Sequence, residues 1–157
     1  MAYTETTPAH LLNEYSFVRG DTRSGDVESF VVLVTYRGVR VGTAHANRYA
    51  ETTSYLNPYY TRAVQRLADS LGRPSLRLYV LTGMQLQEAH RGKGIGSAMC
   101  LEVLHEVARR NGALVPHTAI PNGRMSGDAL RVWARLREQE GVTSLGADAM
   151  TAHASLP

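Results

Sequence analysis

Cysteine, lysine and long apolar runs are all scarce in this chain of 157 residues. Its single cysteine, Cys100, excludes an intramolecular disulfide and any zinc site built from several cysteines. With one thiol, a reducing, cytoplasmic setting is expected. The longest apolar run, Phe30 to Val34, is five residues long, whereas a membrane-spanning helix needs about 20. The first eight residues lack the basic and apolar regions of a secretory signal, so a soluble protein with no membrane partner is expected.

Charge is also modest, with a formal net charge of +3. Sixteen of the 17 basic residues are arginine, and the one lysine, Lys93, lies in the most glycine-rich segment. The basic residues are scattered, which is weak evidence for a nucleic-acid partner. A content of 43% hydrophobic and 20% charged residues is typical of a globular protein, and the length fits one domain over residues 1–157.

Hydrophobic periodicity predicts a mixed α/β chain with five strands and three helices before a weakly patterned tail. The strands are predicted over 14–20, 29–36, 39–49, 75–86 and 113–118, and the helices begin near 59, 95 and 126. Residues 1–13 are predicted as a polar lead-in with one helical turn at 8–13, and 20–26 as a turn. The tail, 141–157, has room for one or two short strands. A bulge is expected near Gly83 in the fourth predicted strand.

A glycine-rich loop joins that fourth strand to the second helix. Gly92, Gly94 and Gly96 let the backbone approach a ligand closely, and the helix that follows begins with unpaired N–H groups and the positive end of its dipole. Such a site suits phosphate or pyrophosphate. The spacing fits neither a Walker P-loop, because Gln87 stands where the first glycine belongs, nor the dinucleotide-binding Gly-x-Gly-x-x-Gly fingerprint.

The spacing that fits is Arg/Gln-x-x-Gly-x-Gly/Ala, matched by residues 91–96. Together with the strand before it and the helices after it, from about 78 to 136, this segment resembles the GNAT superfamily of acyl-CoA N-acyltransferases. The resemblance implies a single α/β (α+β) domain with a central, mostly antiparallel mixed sheet, splayed between the fourth and fifth strands and flanked by helices. It also implies direct transfer of an acetyl group from acetyl-CoA to a primary amine in a ternary complex, without a metal. The acceptor is a small-molecule or protein amine, and a homodimer is one state the sequence allows.

The resemblance further implies which residues bind the cofactor. The loop N–H groups would hold the pyrophosphate, the strand at 84–86 would pair with the pantetheine arm, and its kink would aim an N–H group at the thioester carbonyl. The expected cofactor-binding residues are Met84, Gln85, Leu86, Arg91, Gly92, Lys93, Gly94, Ile95, Gly96, Ser97 and Ser126.

Two features depart from the family pattern. Where the family carries Asn-x-x-Ala-x-x-x-Tyr, this chain has Ser126, Ala129 and Trp133 at the matching positions, and an indole cannot protonate a leaving thiolate. The family also has helices between its first two strands, where this chain has only a short link, and its extra helix near 59–71 lies between the third and fourth predicted strands. The acceptor side is therefore unusual.

The catalytic candidates are His117 and Glu88 as general bases and Ser126 as the acid for the thiolate. Each has a plainer interpretation: a histidine bonded to backbone, a solvated loop carboxylate and a helix N-cap. His45 and Tyr79 are weaker candidates, because strand positions mostly serve packing.

Two alternatives stay open. The sequence pI of about 9.2 and a Tyr/Arg-rich stretch at 48–66 motivate one alternative, a GNAT-fold protein that binds or modifies nucleic acid. It is not the favoured interpretation, because the same tyrosines are better explained as a cap on the sheet. Trp133 favours a protein that binds CoA without turnover.

Overall fold

The computed structural model describes residues 3–6, 14–24, 27–49, 55–146 and 148–152. Within these ranges the chain has a mixed α+β fold with eight strands and three helices. The strands are β1 (Tyr3–Thr6), β2 (Tyr15–Ser24), β3 (Val27–Tyr36), β4 (Val39–Tyr49), β5 (Arg77–Leu86), β6 (Gly112–Val115), β7 (Val142–Leu145) and β8 (Ala149–Ala152). The helices are α1 (Pro58–Ser70), α2 (Ile95–Arg109) and α3 (Gly127–Arg137).

All eight strands form one sheet in the order β1-β2-β3-β4-β5-β6-β8-β7. The pair β5–β6 is parallel and the other neighbours are antiparallel, so the predicted mostly antiparallel mixed sheet is confirmed. Helix α2 connects the parallel pair, as a parallel crossover requires. The short strands expected in the tail are β7 and β8.

The sheet opens between β5 and β6, which correspond to the fourth and fifth predicted strands. Residues Arg77–Val80 of β5 pair with Gly112–Val115 of β6. Beyond Val80, β5 continues to Leu86 beside β4 but has no β6 partner. The predicted splay is therefore confirmed, and it leaves one edge of Leu81–Leu86 facing a gap in the sheet.

Two predictions for the N-terminal region were wrong. Tyr3–Thr6, predicted as part of a polar lead-in, is strand β1 and pairs with β2. The turn predicted over 20–26 begins too early, because β2 continues to Ser24 and pairs with β3 along its whole length. Turn-forming residue types yield to strand structure where a partner strand supplies the hydrogen bonds. The helical turn predicted at 8–13 lies outside the described residues.

The strand predicted over 113–118 is also shorter than expected. Strand β6 ends at Val115, Pro116 follows it, and His117–Ala119 form a 3₁₀ turn. Proline has no N–H group to donate to a strand partner. His117 therefore lies on a turn beyond the strand rather than at the strand's end.

The three helices cover both faces of the sheet. On one face α2 and α3 pack on β2–β5 and β8 around the main core, which includes Phe17, Phe30, Val32, Met99, Leu104, Val107, Trp133 and Leu136. On the other face α1 packs against β5, β6 and β8 in a second cluster. The Asn57 side chain caps the N-terminus of α1, and Gly72, at φ 68°, follows its C-terminus. None of the helices in the described ranges is long and apolar enough to cross a membrane.

Candidate functional site

The free part of β5 carries a bulge. Gly83 pairs with His45 and Leu81 pairs with the next residue of β4, Ala46, so Thr82 is an extra residue on the β5 side. The bulge predicted near Gly83 is confirmed. Bulges bend a strand and re-aim its backbone groups, and this one lies where β5 runs beside the gap.

The glycine-rich loop follows β5 and turns the chain into α2. Gly92 (φ 76°) and Gly94 (φ 82°) both adopt left-handed conformations, which an L-residue enters only with strain. A Cβ added at either position would meet no atom within 4 Å, so both side-chain directions point into open space. The loop therefore requires glycine for its backbone conformation rather than for close packing.

The N-terminus of α2 has no side-chain cap. Its N-cap residue is Gly94, no acidic residue lies in its first turn, and its first helical hydrogen bond runs from Ala98 N to Gly94 O at 3.0 Å. The N–H groups of Ile95, Gly96 and Ser97 consequently have no acceptor from the helix itself. They form the positive end of the helix dipole.

A polar atom without a partner lies in the same turn. The Ser97 side-chain oxygen is buried and makes no hydrogen bond in the described part of the chain. A buried hydroxyl without a partner costs free energy. Its position beside three unpaired N–H groups fits an anionic ligand that accepts hydrogen bonds from this turn.

Hydrogen bonds from loop residues to residues outside the loop hold it against the sheet. Arg91 Nε donates to Leu86 O at 2.9 Å, and Gln87 N donates to Val41 O at 2.9 Å. The Tyr15 hydroxyl and His90 Nδ1 lie 2.9 Å apart, and the Tyr15 ring is buried. The loop is thereby fixed relative to the end of β5.

A cavity of about 1270 Å³ lies between the free part of β5, the glycine-rich loop, α3 and the segment after β6. It is lined by ten of the thirteen residues predicted for the site: Met84, Gln85, Leu86, Arg91, Gly92, Gly94, Gly96, Ser97, His117 and Ser126. Among the other three, Glu88 and Lys93 are exposed outside the cavity lining, and the Ile95 side chain is buried in the core. Ile95 contributes only its backbone to this region.

His117 is half-buried at the cavity wall, and its ring is oriented by backbone. Its Nδ1 lies 3.1 Å from Arg124 O; a carbonyl only accepts, so Nδ1 carries the proton. The lone pair of the neutral ring is then on Nε2. Gly123 permits this turn, because a Cβ there would lie 1.9 Å from His117 O. His117 is therefore a histidine bonded to backbone, and the same bond leaves Nε2 compatible with the role of a general base.

Ser126 and Trp133 stand at the two positions of the α3 motif where this chain differs from the family's Asn and Tyr. The Ser126 hydroxyl accepts the N–H of Ala129 at 3.1 Å as the N-cap of α3, and the residue is exposed on the cavity wall. Its own proton is still available for donation. Trp133 is only 4% exposed, packs in the core and does not line the cavity.

Two other groups named from the sequence lie in the core. Cys100 Sγ is 3.1 Å from Met84 Sδ, and burial raises the pKa of the Cys100 thiol to about 12, which makes it a poor nucleophile. The Tyr79 ring is fully buried and its hydroxyl donates to Glu28 at 3.2 Å, away from the cavity. His45, in contrast, is exposed at the cavity edge opposite Gly83.

Four arginines that line the cavity were not predicted as site residues from the sequence. They are Arg40, Arg124, Arg131 and Arg135. The signal for two of them was present: Asp128, Arg131 and Arg135 recur at helical spacing on α3. Nothing local indicated that this face of α3 borders the glycine-rich loop.

The tyrosines of the 48–66 stretch make contacts within the fold. Tyr59 donates to Asp148 at 2.6 Å, Tyr60 bonds Thr118 at 2.8 Å, and Tyr49 stacks on Tyr55. Arg48 pairs with Glu28 at 3.3 Å. Among the described side chains, no group of three or more His, Cys, Asp or Glu is arranged to hold a metal ion.

No protein-family model matches the chain, and no curated protein sequence matches it. Among solved structures, the chain is similar to a protein from Desulfovibrio desulfuricans described as a "putative acetyltransferase of the GNAT family", with a TM-score of 0.45 and 17% identity. The alignment covers 78% of this chain and 64% of that one, so the chain spans less than two thirds of its length. A likeness of this size neither shows family membership nor carries an argument about activity.

Proposed function

We propose that this chain is an N-acetyltransferase of the GNAT type, which moves an acetyl group from acetyl-CoA to a primary amine. The observation that carries the proposal is the cavity itself. It joins an uncapped helix N-terminus, suited to phosphate, to a strand edge that has no strand partner in the described part of the chain and suits an extended amide-bearing chain. CoA carries the complementary groups next to each other, because its pyrophosphate is linked directly to the amide-bearing pantetheine arm.

The residues present fit this ligand. The N–H groups of residues 95–97 and the unpartnered Ser97 hydroxyl would bind the pyrophosphate, with Arg91 at the rim. The free edge of Met84–Leu86 would bind the pantetheine arm in the manner of an added strand. Acetyl-CoA supplies an activated thioester at the end of that arm.

The transfer needs a neutral amine, and His117 is the base that the geometry favours. The unprotonated Nε2 of the neutral ring accepts the amine proton, directly or through a water. The amine nitrogen then bonds the acetyl carbon, the carbon–sulfur bond breaks, and the sulfur leaves with its electron pair. Backbone N–H groups at the bulge of β5 would stabilise the oxyanion.

As the amide forms, the nitrogen loses one more proton and the leaving thiolate takes one. Ser126 is the proposed relay: its hydroxyl donates a proton to the sulfur and takes up the proton that the nitrogen releases, directly or through a water. Its oxygen already accepts the Ala129 N–H, which fixes the hydroxyl on the cavity wall while its proton stays free. Trp133, buried in the core, cannot take this part.

Thermal unfolding with and without acetyl-CoA tests the proposal. At a ligand concentration one hundred times Kd, we expect stabilisation of about 2.7 kcal/mol, or roughly 5–10 °C for a domain of this size. Gly94→Glu should abolish the shift, because it puts a carboxylate into the phosphate site. Gly38→Glu is the matched control: Gly38 has φ 83°, also has no atom within 4 Å of an added Cβ and lies outside the cavity lining.

Loss of the shift in Gly94→Glu alone supports the cofactor site, and equal loss in both variants assigns it to backbone strain. Absence of any shift with acetyl-CoA in the native chain overturns the proposal. Release of free CoA is then measured with a panel of amines, since binding without release is the outcome expected of a CoA-binding protein without turnover.

A further inference from the structure

The cavity wall is strongly asymmetric in charge. Among the described residues that line it, five are arginines and one is a carboxylate, Asp128. That carboxylate already forms an ion pair with Arg131. A ligand with several ammonium groups would therefore meet no free carboxylate on this wall.

Three of the five guanidinium groups have no partner among the described residues. Within the described ranges, no hydrogen bond, ion pair or ring contact holds the side chain of Arg40, Arg124 or Arg135, whereas Arg91 donates to Leu86 and Arg131 pairs with Asp128. An arginine stays charged in proteins and offers five N–H donors. These groups are therefore free to bind anions.

Three of these arginines lie at two different places along the cavity. Arg131 and Arg135 flank Val132, which faces Gly96 at the start of α2 closely enough that an added Cβ would lie 3.5 Å from it. They therefore border the phosphate end. Arg124 precedes α3, and its carbonyl accepts the proton of His117 Nδ1, which puts Arg124 beside the candidate base.

We propose that the acceptor is a primary amine that also carries an anionic group, and that Arg124 binds this anion while His117 faces the amine. This inference rests on the proposed acetyltransferase function and specifies its substrate class. A cationic wall also lowers the pKa of a bound amine, which favours the neutral nucleophile that acetyl transfer needs. The bonds made and broken are those of the transfer described above.

Matched pairs of amines test the charge preference. O-Phosphoethanolamine is compared with ethanolamine, and β-alanine with β-alaninamide, because each pair differs only at the anionic group; spermidine serves as the polycation. We expect kcat/KM to be higher for the anionic member by about 10- to 100-fold, the range for a hydrogen bond to a charged group. The two pairs together distinguish a phosphate from a carboxylate.

Two arginine variants separate the anion site from the cofactor site. Arg124→Gln should raise KM for the anionic amine by about 10- to 100-fold, with KM for acetyl-CoA unchanged. Arg135→Gln should do the reverse. If Arg124→Gln instead raises KM for acetyl-CoA alone, Arg124 belongs to the cofactor site and the inference is wrong.

The outcomes also separate this inference from the proposed function. Acetyl-CoA binding with equal or better use of ethanolamine or spermidine overturns the anionic acceptor and leaves the acetyltransferase standing. If no amine is turned over, the unfolding temperature of the acetyl-CoA complex is measured with O-phosphoethanolamine, β-alanine and spermidine. Stabilisation by either anionic amine supports the inference, and stabilisation by spermidine alone or by none of them refutes it. Absence of acetyl-CoA binding removes both.

Discussion

Arg110, at the C-terminal end of α2, connects this helix to strands β2 and β3. Its guanidinium donates to Glu28 at 2.8 Å and to Glu106 at 2.9 Å, also pairs with Asp21, and lies 4.7 Å from the centre of the Phe30 ring. The side chain is 16% exposed, so these interactions are partly shielded from water. We expect Arg110→Met, which keeps the aliphatic stem and removes the charge, to destabilise the fold markedly.

The magnitude depends on what the carboxylates retain. Removing one partner of a buried ion pair costs about 3–5 kcal/mol when the other charge is left alone. Here Glu28 keeps Arg48 and Tyr79, and Glu106 keeps Arg19 and Arg109. Because neither carboxylate becomes unpaired, the expected loss is about 2–3 kcal/mol, or roughly 4–12 °C in Tm.

Arg131→Met is the matched control, since it removes the same charge from an ion pair in which both side chains are 67% exposed. An exposed pair contributes little, so the control should lie within about 0.5 kcal/mol of the native chain. Urea and thermal unfolding of the three proteins give the comparison. If Arg110→Met unfolds within about 0.5 kcal/mol of Arg131→Met, the interactions at Arg110 contribute no net stability and the reasoning is refuted.

Three further predictions concern the site and the pH dependence of the fold. Gly96→Ala should leave stability unchanged or raise it by about 0.5–1 kcal/mol, because Gly96 lies inside α2 and its added Cβ makes only ordinary contact. The same variant should show a smaller rise in unfolding temperature with acetyl-CoA than the native chain. An unchanged rise would count against phosphate binding at this turn. His117→Asn keeps an N–H donor for Arg124 O but no base, so kcat should fall by about 10²–10⁴ with KM for acetyl-CoA retained; full activity would remove His117 from the mechanism. Burial favours a higher pKa for Glu28, but hydrogen bonds from Arg48, Arg110 and Tyr79 outweigh it and hold the pKa below its ordinary 4.5. The stability that Glu28 contributes is therefore intact above pH 4.5 and lost as the pH falls below it. In urea unfolding, the free energy of unfolding of Glu28→Gln should fall less steeply with decreasing acidic pH than that of the native chain. Identical pH dependence in the two proteins would contradict this.

Local features of the sequence located most of the elements around the site. The glycine spacing, the start of α2, the bulge near Gly83 and the Ser126 cap each depend on residues close together in the chain, where backbone conformation and helix capping act. Hydrophobic periodicity likewise predicted the mixed α/β sequence of strands and helices. These are short-range effects, and a single sequence records them directly.

Other features depend on partners distant in the chain. Strand β1 and the extension of β2 to Ser24 exist because a neighbouring strand offers its hydrogen bonds, which turn-forming composition does not reveal. Tyr79, a candidate base on pattern alone, is buried against Glu28 from another strand. In each case cross-strand contacts override the local preference.

The sequence by itself determined the glycine-rich loop and the order of the elements from β2 onward, because both depend on neighbouring residues. Only the tertiary structure decided the charge of the cavity and which ring nitrogen of His117 carries the proton. Arg40, Arg124 and Arg135 come from separate segments and line one cavity because β5 and β6 diverge and α3 packs beside α2. The proton of His117 is placed on Nδ1 by a carbonyl seven residues away, across a turn that closes only because Gly123 has no side chain.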